Sequence, residues 1–293
     1  MQTGRTTEMT NPHIFTEAAT KISEFGQQIS PQILAELKAI YVPLQPPPPT
    51  DVRIERDLSY GPHERHRLNL FLPPGPATDV LVFVHGGGFV TGDKDETPGA
   101  FYDNVGLWAA SEGLIGVTLN YRRAPDYPWP AGRDDTGAAV DWLRDNVVRY
   151  GGDPGRIFLM GHSAGACHVA GFVGTPGAVK KLAGCICVSG VYDLTISPVN
   201  TAYFGADTAL YAERSPLVAF GSAEIPMLVL LAENDPEFVQ RHGLSLFDTV
   251  LRERKKLPKF GYIAGHNHFS TLLHLNSPDT SLADQLSDFI RRN

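Results

Sequence analysis

Short apolar runs alternating with helical stretches predict an α/β chain built on a mostly parallel, doubly wound sheet flanked by helices. Val80-Leu81-Val82-Phe83-Val84 and Met227-Leu228-Val229-Leu230-Leu231 are continuous apolar runs, the pattern of strands covered on both faces. Further strand-like runs at 114–119, 157–160 and 182–188 are separated by helical stretches such as 134–148, and crossover helices between parallel strands are the economical way to join them. At 293 residues, 42% hydrophobic, the chain is long enough to bury the core of one large α/β domain.

Taken in order, residues 14–41 repeat apolar side chains at helical spacing, from Ala18, Ile22 and Phe25 to Ile33, Leu34, Leu37 and Ile40. Two amphipathic helices are expected there, the second opened by Ser30 as N-cap and Pro31 in its first turn. An isolated helix of this length is marginal, so their apolar faces must be buried against the main domain or against a later insertion. Pro46 to Pro49 force an extended linker, which divides the chain into an N-terminal segment, 1–50, and a main domain, 51–293. Removing residues 1–45 is expected to leave the sheet folded. Arg67–Leu72 shows a period of two and 260–264 is strand-like. Residues 193–222 break the alternation with a polar, tyrosine-containing segment, read as an insertion over the site.

Net charge is −7, which argues against a partner bound through nucleic-acid phosphates. Cys185 and Cys187 alternate on one face of an expected strand, poor geometry for a mutual disulfide, so these and Cys167 are expected as free thiols. Residues 1–13 lack the apolar core of a secretory signal, and no run reaches the eighteen or so apolar residues of a membrane span. A cytoplasmic location is the resulting expectation.

Chemistry concentrates at the ends of the expected strands. Gly161-His162-Ser163-Ala164-Gly165 follows the run 157–160 and precedes a small-residue helix. There G-x-S-x-G sets a serine on a sharp strand-to-helix turn with no room for nearby Cβ atoms. His85-Gly86-Gly87-Gly88-Phe89 directly follows the strand Val80–Val84. Three glycines after a strand offer backbone N–H groups, and amides aimed at a developing oxyanion contribute about 3 to 4 kcal/mol per donor. Gly87, Gly88 and Ala164 are the expected donors; a phosphate loop would also want a Walker-type lysine. A serine needs a base, and the base an orienting acid. Asp235 follows the run 227–231, flanked by Glu233 and Glu237 as alternatives, and His268 follows 260–264, with His266 as its alternative. His162 and His168 beside the serine fit packing roles, and a metal site from His162, His266 and His268 matches no common zinc spacing. The order Ser163, Asp235, His268 is that of α/β-hydrolases.

With these motifs the chain resembles the hormone-sensitive-lipase-like branch of the α/β-hydrolase carboxylesterases over residues 50–293. Tyr121-Arg122-Arg123-Ala124-Pro125, continuing to Trp129-Pro130-Ala131 and Asp135, matches a segment that in the family braces loops near the oxyanion site. Two departures stand out: His162 replaces the usual Asp before the serine, and Asp126 the usual Glu after the proline. The first pulls the resemblance towards neighbouring esterases and arylformamidases. The resemblance implies a helical cap made by the N-terminal helices and the 193–222 insertion, with Phe89, Tyr192, Tyr203, Phe204 and Tyr211 as pocket candidates. It implies hydrolysis of small to medium acyl esters through an acyl-enzyme, with no cofactor, no metal and a small-molecule ester as partner; a homo-oligomer is compatible with it. An aryl-formamide or other amide hydrolase using the same triad, and a ligand receptor on the same scaffold, are the alternatives.

Overall fold

The computed structural model describes residues 12–97, 99–196 and 200–293; the reading of residues 1–11 as free of a signal segment falls outside them. Strands β1 (Arg53–Ser59), β2 (Arg67–Leu72), β3 (Val80–Val84), β4 (Ile115–Leu119), β5 (Ile157–His162), β6 (Gly184–Val188), β7 (Met227–Asn234) and β8 (Lys259–Asn267) form one eight-stranded sheet. Its order is β1-β2-β4-β3-β5-β6-β7-β8. β2 runs antiparallel to β1 and β4, and every other pair is parallel. Helices α1 (Pro12–Phe25) and α2 (Pro31–Tyr41) precede the sheet. α3 (Asp103–Ser111), α4 (Ala131–Asn146) and α5 (Ala164–Val173) connect β3 through β6. The short helices α6 (Thr201–Phe204), α7 (Tyr211–Arg214) and α8 (Leu217–Gly221) fill the insertion before β7. α9 (Glu237–Arg254) leads to β8, and α10 (Ser270–Leu273) and α11 (Ala283–Arg292) follow it. This is the α/β-hydrolase architecture.

The period of two sorts side chains of the central strands into two cores. Val80, Val82, Val84, Leu159, Cys187 and Val229 belong to the one under α4, α5 and α9. Leu81, Phe83, Met160, Val188 and Leu230 belong to the other, shared with α2, α3 and α11. Cys185 and Cys187 lie on one face as expected, and all three cysteines are free and buried.

Three elements differ from the sequence reading. β1 was not legible, because Arg53-Ile54-Glu55-Arg56-Asp57-Leu58-Ser59 lies at the sheet edge, largely exposed, with a bulge between Glu55 and Leu58. β2 is not half-buried: Asn69, on the nominally polar phase, is fully buried and bonds the Asp57 amide at 3.0 Å and Asp95 at 2.8 Å. The N-terminal helices are also more than a removable cap. Ser30 caps α2 by accepting from the Ile33 amide at 3.2 Å, and Ile22, Ile33, Leu37 and Tyr41 complete the same buried cluster as Phe83, Val188 and Leu230. Deleting residues 1–45 would therefore expose part of this core to water.

Leu37→Ala tests this packing: with Leu37 fully buried, it should cost about 2–5 kcal/mol of unfolding free energy by urea titration. Ile29→Ala, 43% exposed on the neighbouring turn, should stay within about 0.5 kcal/mol.

Candidate active site

β5 ends in a turn that only small residues permit. Ser163 sits at φ +54°, ψ −120°, between β5 and α5, a conformation costing a non-glycine residue about 1–3 kcal/mol. A Cβ on Gly165 would collide with the Val84 carbonyl oxygen, and one on Gly161 would meet the Gly165 backbone at 2.5 Å. The glycines thus let α5 start hard against the end of β3. The Ser163 amide donates to the Val188 carbonyl at 3.0 Å, fixing the turn to β6.

Three strand ends bring the other side chains to that serine. His268 Nε2 lies 3.0 Å from Ser163 Oγ, and His268 Nδ1 lies 2.9 Å from Asp235 Oδ1. Asp235 is fully buried, and its second oxygen accepts from Ser189 Oγ at 2.7 Å and from the Ala232 amide at 2.8 Å. Two alternatives separate cleanly: Glu233 accepts from the Gly265 amide at 2.7 Å, while Glu237 pairs with Arg241 on the exposed face of α9. His266 turns away to Ser270 Oγ at 3.1 Å and Asp279 at 3.0 Å, its ring stacked on His274. It cannot join His162 and His268 around one ion. His266, His274 and Asp279 do place donor atoms within 4.8 Å of one another, but both His266 ring nitrogens and His274 Nδ1 are hydrogen-bonded within this loop.

The glycine loop faces the same serine. Gly87 and Gly88 adopt φ +110° and +57°, and a Cβ on Gly87 would strike the Thr91 carbonyl. Among the described residues no acceptor meets the amides of Gly87, Gly88 or Ala164, and all three residues line the cavity that contains Ser163. Tyr121 donates to the carbonyls of His85 at 3.0 Å and Gly86 at 3.2 Å. The Ala124 amide donates to the Phe89 carbonyl at 3.0 Å, and Arg122 grips buried Asp135 through both oxygens. The Tyr121–Pro125 segment thus braces the glycine loop, while Asp126 is exposed.

That cavity measures about 670 Å³. Phe89 and Phe204 line it as expected. Tyr192, Tyr203 and Tyr211 are not among its lining residues. Tyr192 is fully buried in the core beneath α5, beside Phe220. Tyr203 stacks behind Phe89 at 4.8 Å and its hydroxyl accepts from the Gly132 amide. Tyr211 donates to the Gly205 carbonyl. Aromatic residues in an insertion can serve either wall or packing, and sequence does not separate the two. The walls also contain Leu34 and Lys38 from α2, and Phe238 and His242 from α9, none of which the sequence reading named as a pocket residue. Ser189 was missed too; its signal was a polar residue immediately after a buried parallel strand, where ligand sites of open α/β sheets gather.

Several histidines around the site are held neutral. Burial pushes His85 down to about 4 and His168 down to about 3. Burial also holds His162 well below its ordinary value, with the neighbouring His268 acting in the same direction. Burial raises the Cys167 thiol to about 12, which makes it a poor nucleophile beside the serine.

Residues 68–197 match the family described as BD-FAE, a span that contains the glycine loop and the serine turn but stops short of Asp235 and His268. The chain is 31% identical over 230 residues to Esterase LipQ of Mycobacterium tuberculosis, covering 67% of this chain and 52% of that protein. It is 34% identical over 155 residues to isoprenylcysteine alpha-carbonyl methylesterase ICME of Arabidopsis thaliana, covering 52% of this chain and 34% of the relative. The chain thus spans about a third to a half of the length of these curated relatives. Among solved structures, the Pyrobaculum calidifontis esterase superposes with a TM-score of 0.72 at 21% identity, covering 96% of this chain and 98% of that one. At that identity the likeness establishes the fold. No helix among the described residues is long and apolar enough to cross a membrane.

The neutral histidines predict how stability varies with pH. His85 and His168 titrate near 4 and 3 when folded but near 6.5 when unfolded, so below pH 6.5 the unfolded chain binds more protons. Their contribution is complete above about pH 6.5 and is lost as pH falls towards the folded values. The urea midpoint should therefore fall between pH 7 and pH 5, and His168→Phe should flatten that decline; an unchanged slope would show that His168 is not the neutral group described.

Proposed function

On this α/β-hydrolase scaffold, we propose a serine carboxylesterase that hydrolyses small to medium acyl esters through a covalent acyl-enzyme. The observation that carries the reading is one hydrogen-bonded series, Asp235 to His268 to Ser163, ending beside amides that meet no acceptor among the described residues, in a largely apolar cavity. The names of the relatives LipQ and ICME point the same way.

Each group has one task. His268 Nε2 takes the Ser163 proton as Oγ bonds to the ester carbonyl carbon, and the carbonyl π pair moves onto oxygen. Amides of Gly87, Gly88 and Ala164 stabilise that oxyanion. Collapse breaks the bond to the alkoxy oxygen, which leaves as the alcohol with the proton from His268. Water, deprotonated by the same imidazole, attacks the acyl-enzyme and releases the acid, while His268 returns a proton to Ser163. Asp235 holds Nδ1–H and stabilises the transient imidazolium. Its bonds from Ser189 and Ala232 fix the second oxygen, so the carboxylate cannot rotate away.

An aryl-formamide hydrolase is the second reading, favoured by His162 in place of the Asp usual before the serine. Paired ester and formamide substrates with the same aryl group decide between them through their kcat/KM ratio. A receptor on this scaffold would leave Ser163 unreactive towards a fluorophosphonate. Free buried thiols support a reducing, cytoplasmic setting.

Ser163→Ala should abolish fluorophosphonate labelling with the melting temperature retained; hydrolysis above a few per cent of wild type would place the nucleophile elsewhere. His268→Ala should lower turnover at least about a thousandfold, and His266→Ala far less, the reverse ranking moving the base to His266. Every proton in the scheme travels through His268, so a chelator should leave turnover unchanged. Zinc-restorable loss on chelation would overturn that scheme.

A further inference from the structure

His162, the departure from the Asp-before-serine pattern, is fully committed to a contact that an aspartate cannot make. Its Nε2 lies 2.9 Å from the backbone carbonyl oxygen of His268. A carbonyl only accepts, so Nε2 carries the proton and Nδ1 is a bare lone pair. Nδ1 lies beneath Gly86, where an added Cβ would approach it to 3.2 Å, and no donor reaches it among the described residues. The two imidazole rings are 4.8 Å apart, tilted by 41°. An aspartate carboxylate has no proton for the His268 carbonyl and would leave it without this donor.

Resting on the triad reading above, we propose that His162 is a positioning residue, pinning the backbone of the base to the strand that carries the nucleophile. The His268 ring must reach Asp235 at one nitrogen and Ser163 at the other, at 2.9 and 3.0 Å. Both partners hold only the ring. The His162 bond holds the residue's own carbonyl, so His268 is fixed at three points, two on its ring and one on its backbone. It also couples neighbouring residues across the site: Ser163 and its backbone neighbour each hold one end of His268.

Neutrality is part of the device. Once the Ser163 proton moves, His268 is a cation, and a second cation 4.8 Å away would oppose it. The titratable group facing His162 is His268, with Asp235 behind it; Gly86 after β3 and Val188 on β6 bring no charge. Burial, with the neighbouring His268 acting in the same direction, keeps the ring uncharged, and its single proton stays on Nε2, donated to the His268 carbonyl.

Side-chain reach supplies the test. A glutamine amide extends about as far as Nε2, an asparagine amide only about as far as Nδ1. His162→Leu and His162→Asn should lower kcat roughly ten- to a hundredfold, with KM within about twofold, as expected for misplacement of a catalytic group. His162→Gln should recover most of kcat. The rate of Ser163 labelling by a fluorophosphonate should follow the same order, since that step uses the same base. Absence of labelling in the wild type would defeat the triad reading itself, whereas normal labelling in the wild type with equal kcat in the Gln and Asn variants would overturn the role of His162. If the Leu variant does not fold, the two amide variants, compared at matched melting temperature, give the same decision.

Discussion

The approach of the first turn of α5 to the end of β3 is the constraint on which this site depends. Gly165 lies against the carbonyls of Val84 and His85 so closely that no side chain fits between them. That contact does two things. It forces Ser163 into the left-handed turn, and it brings the Ala164 amide to the glycine loop that continues β3. Serine hydroxyl and amide donors are therefore set by one backbone contact and need not be positioned separately. The strain at Ser163, about 1–3 kcal/mol, is offset by the glycines on either side and by the bond from its amide to Val188.

Around this contact the protein keeps histidines neutral and braces the glycine loop. Tyr121, Arg122, Asp135 and the Ala124 amide hold the glycine loop from behind, and among the described residues the Gly87 and Gly88 amides stay free of protein acceptors. Free amides in a largely apolar cavity act in a low dielectric, where a preorganised donor is worth more than in water. The same burial would penalise any extra cation near His268. His85, His162 and His168 all respond by remaining uncharged.

Stability and substrate space share residues. One side of α2 contributes Leu37 and Tyr41 to the core beneath the sheet, while Leu34 and Lys38 from the same helix line the cavity. Lys38 also pairs with Glu96, another lining residue, at 2.7 Å. The wall over the serine is thus a helix whose other face is structural, and changes to its packing reach the pocket directly. From the opposite side, Phe204 and Asn200 of the insertion close on the loop, Asn200 donating to the Gly88 carbonyl at 2.7 Å.

Local signals in the sequence were sufficient for the central strands, the two N-terminal helices, the Ser30 cap and the candidates Ser163, Asp235 and His268, because each rests on periodicity, on a cap or on a residue at a strand end. β1 escaped because an exposed edge strand needs no apolar pattern, and the second face of β2 because Asn69 is buried through hydrogen bonds rather than hydrophobicity. Tyr192, Tyr203 and Tyr211 were misplaced for a related reason: composition shows an aromatic ring but not whether it faces the cavity or the packing behind it. Separating Asp235 from Glu233, and His268 from His266, by geometry takes contacts of about one hydrogen bond between residues far apart in the chain. The pairing of His162 with the His268 carbonyl, 106 residues away, is of the same kind. What the sequence determined was which groups stand at the ends of strands; which of them meet was decided by the crossovers that bring β5, β7 and β8 side by side with β6 between them, a long-range property that no local pattern encodes.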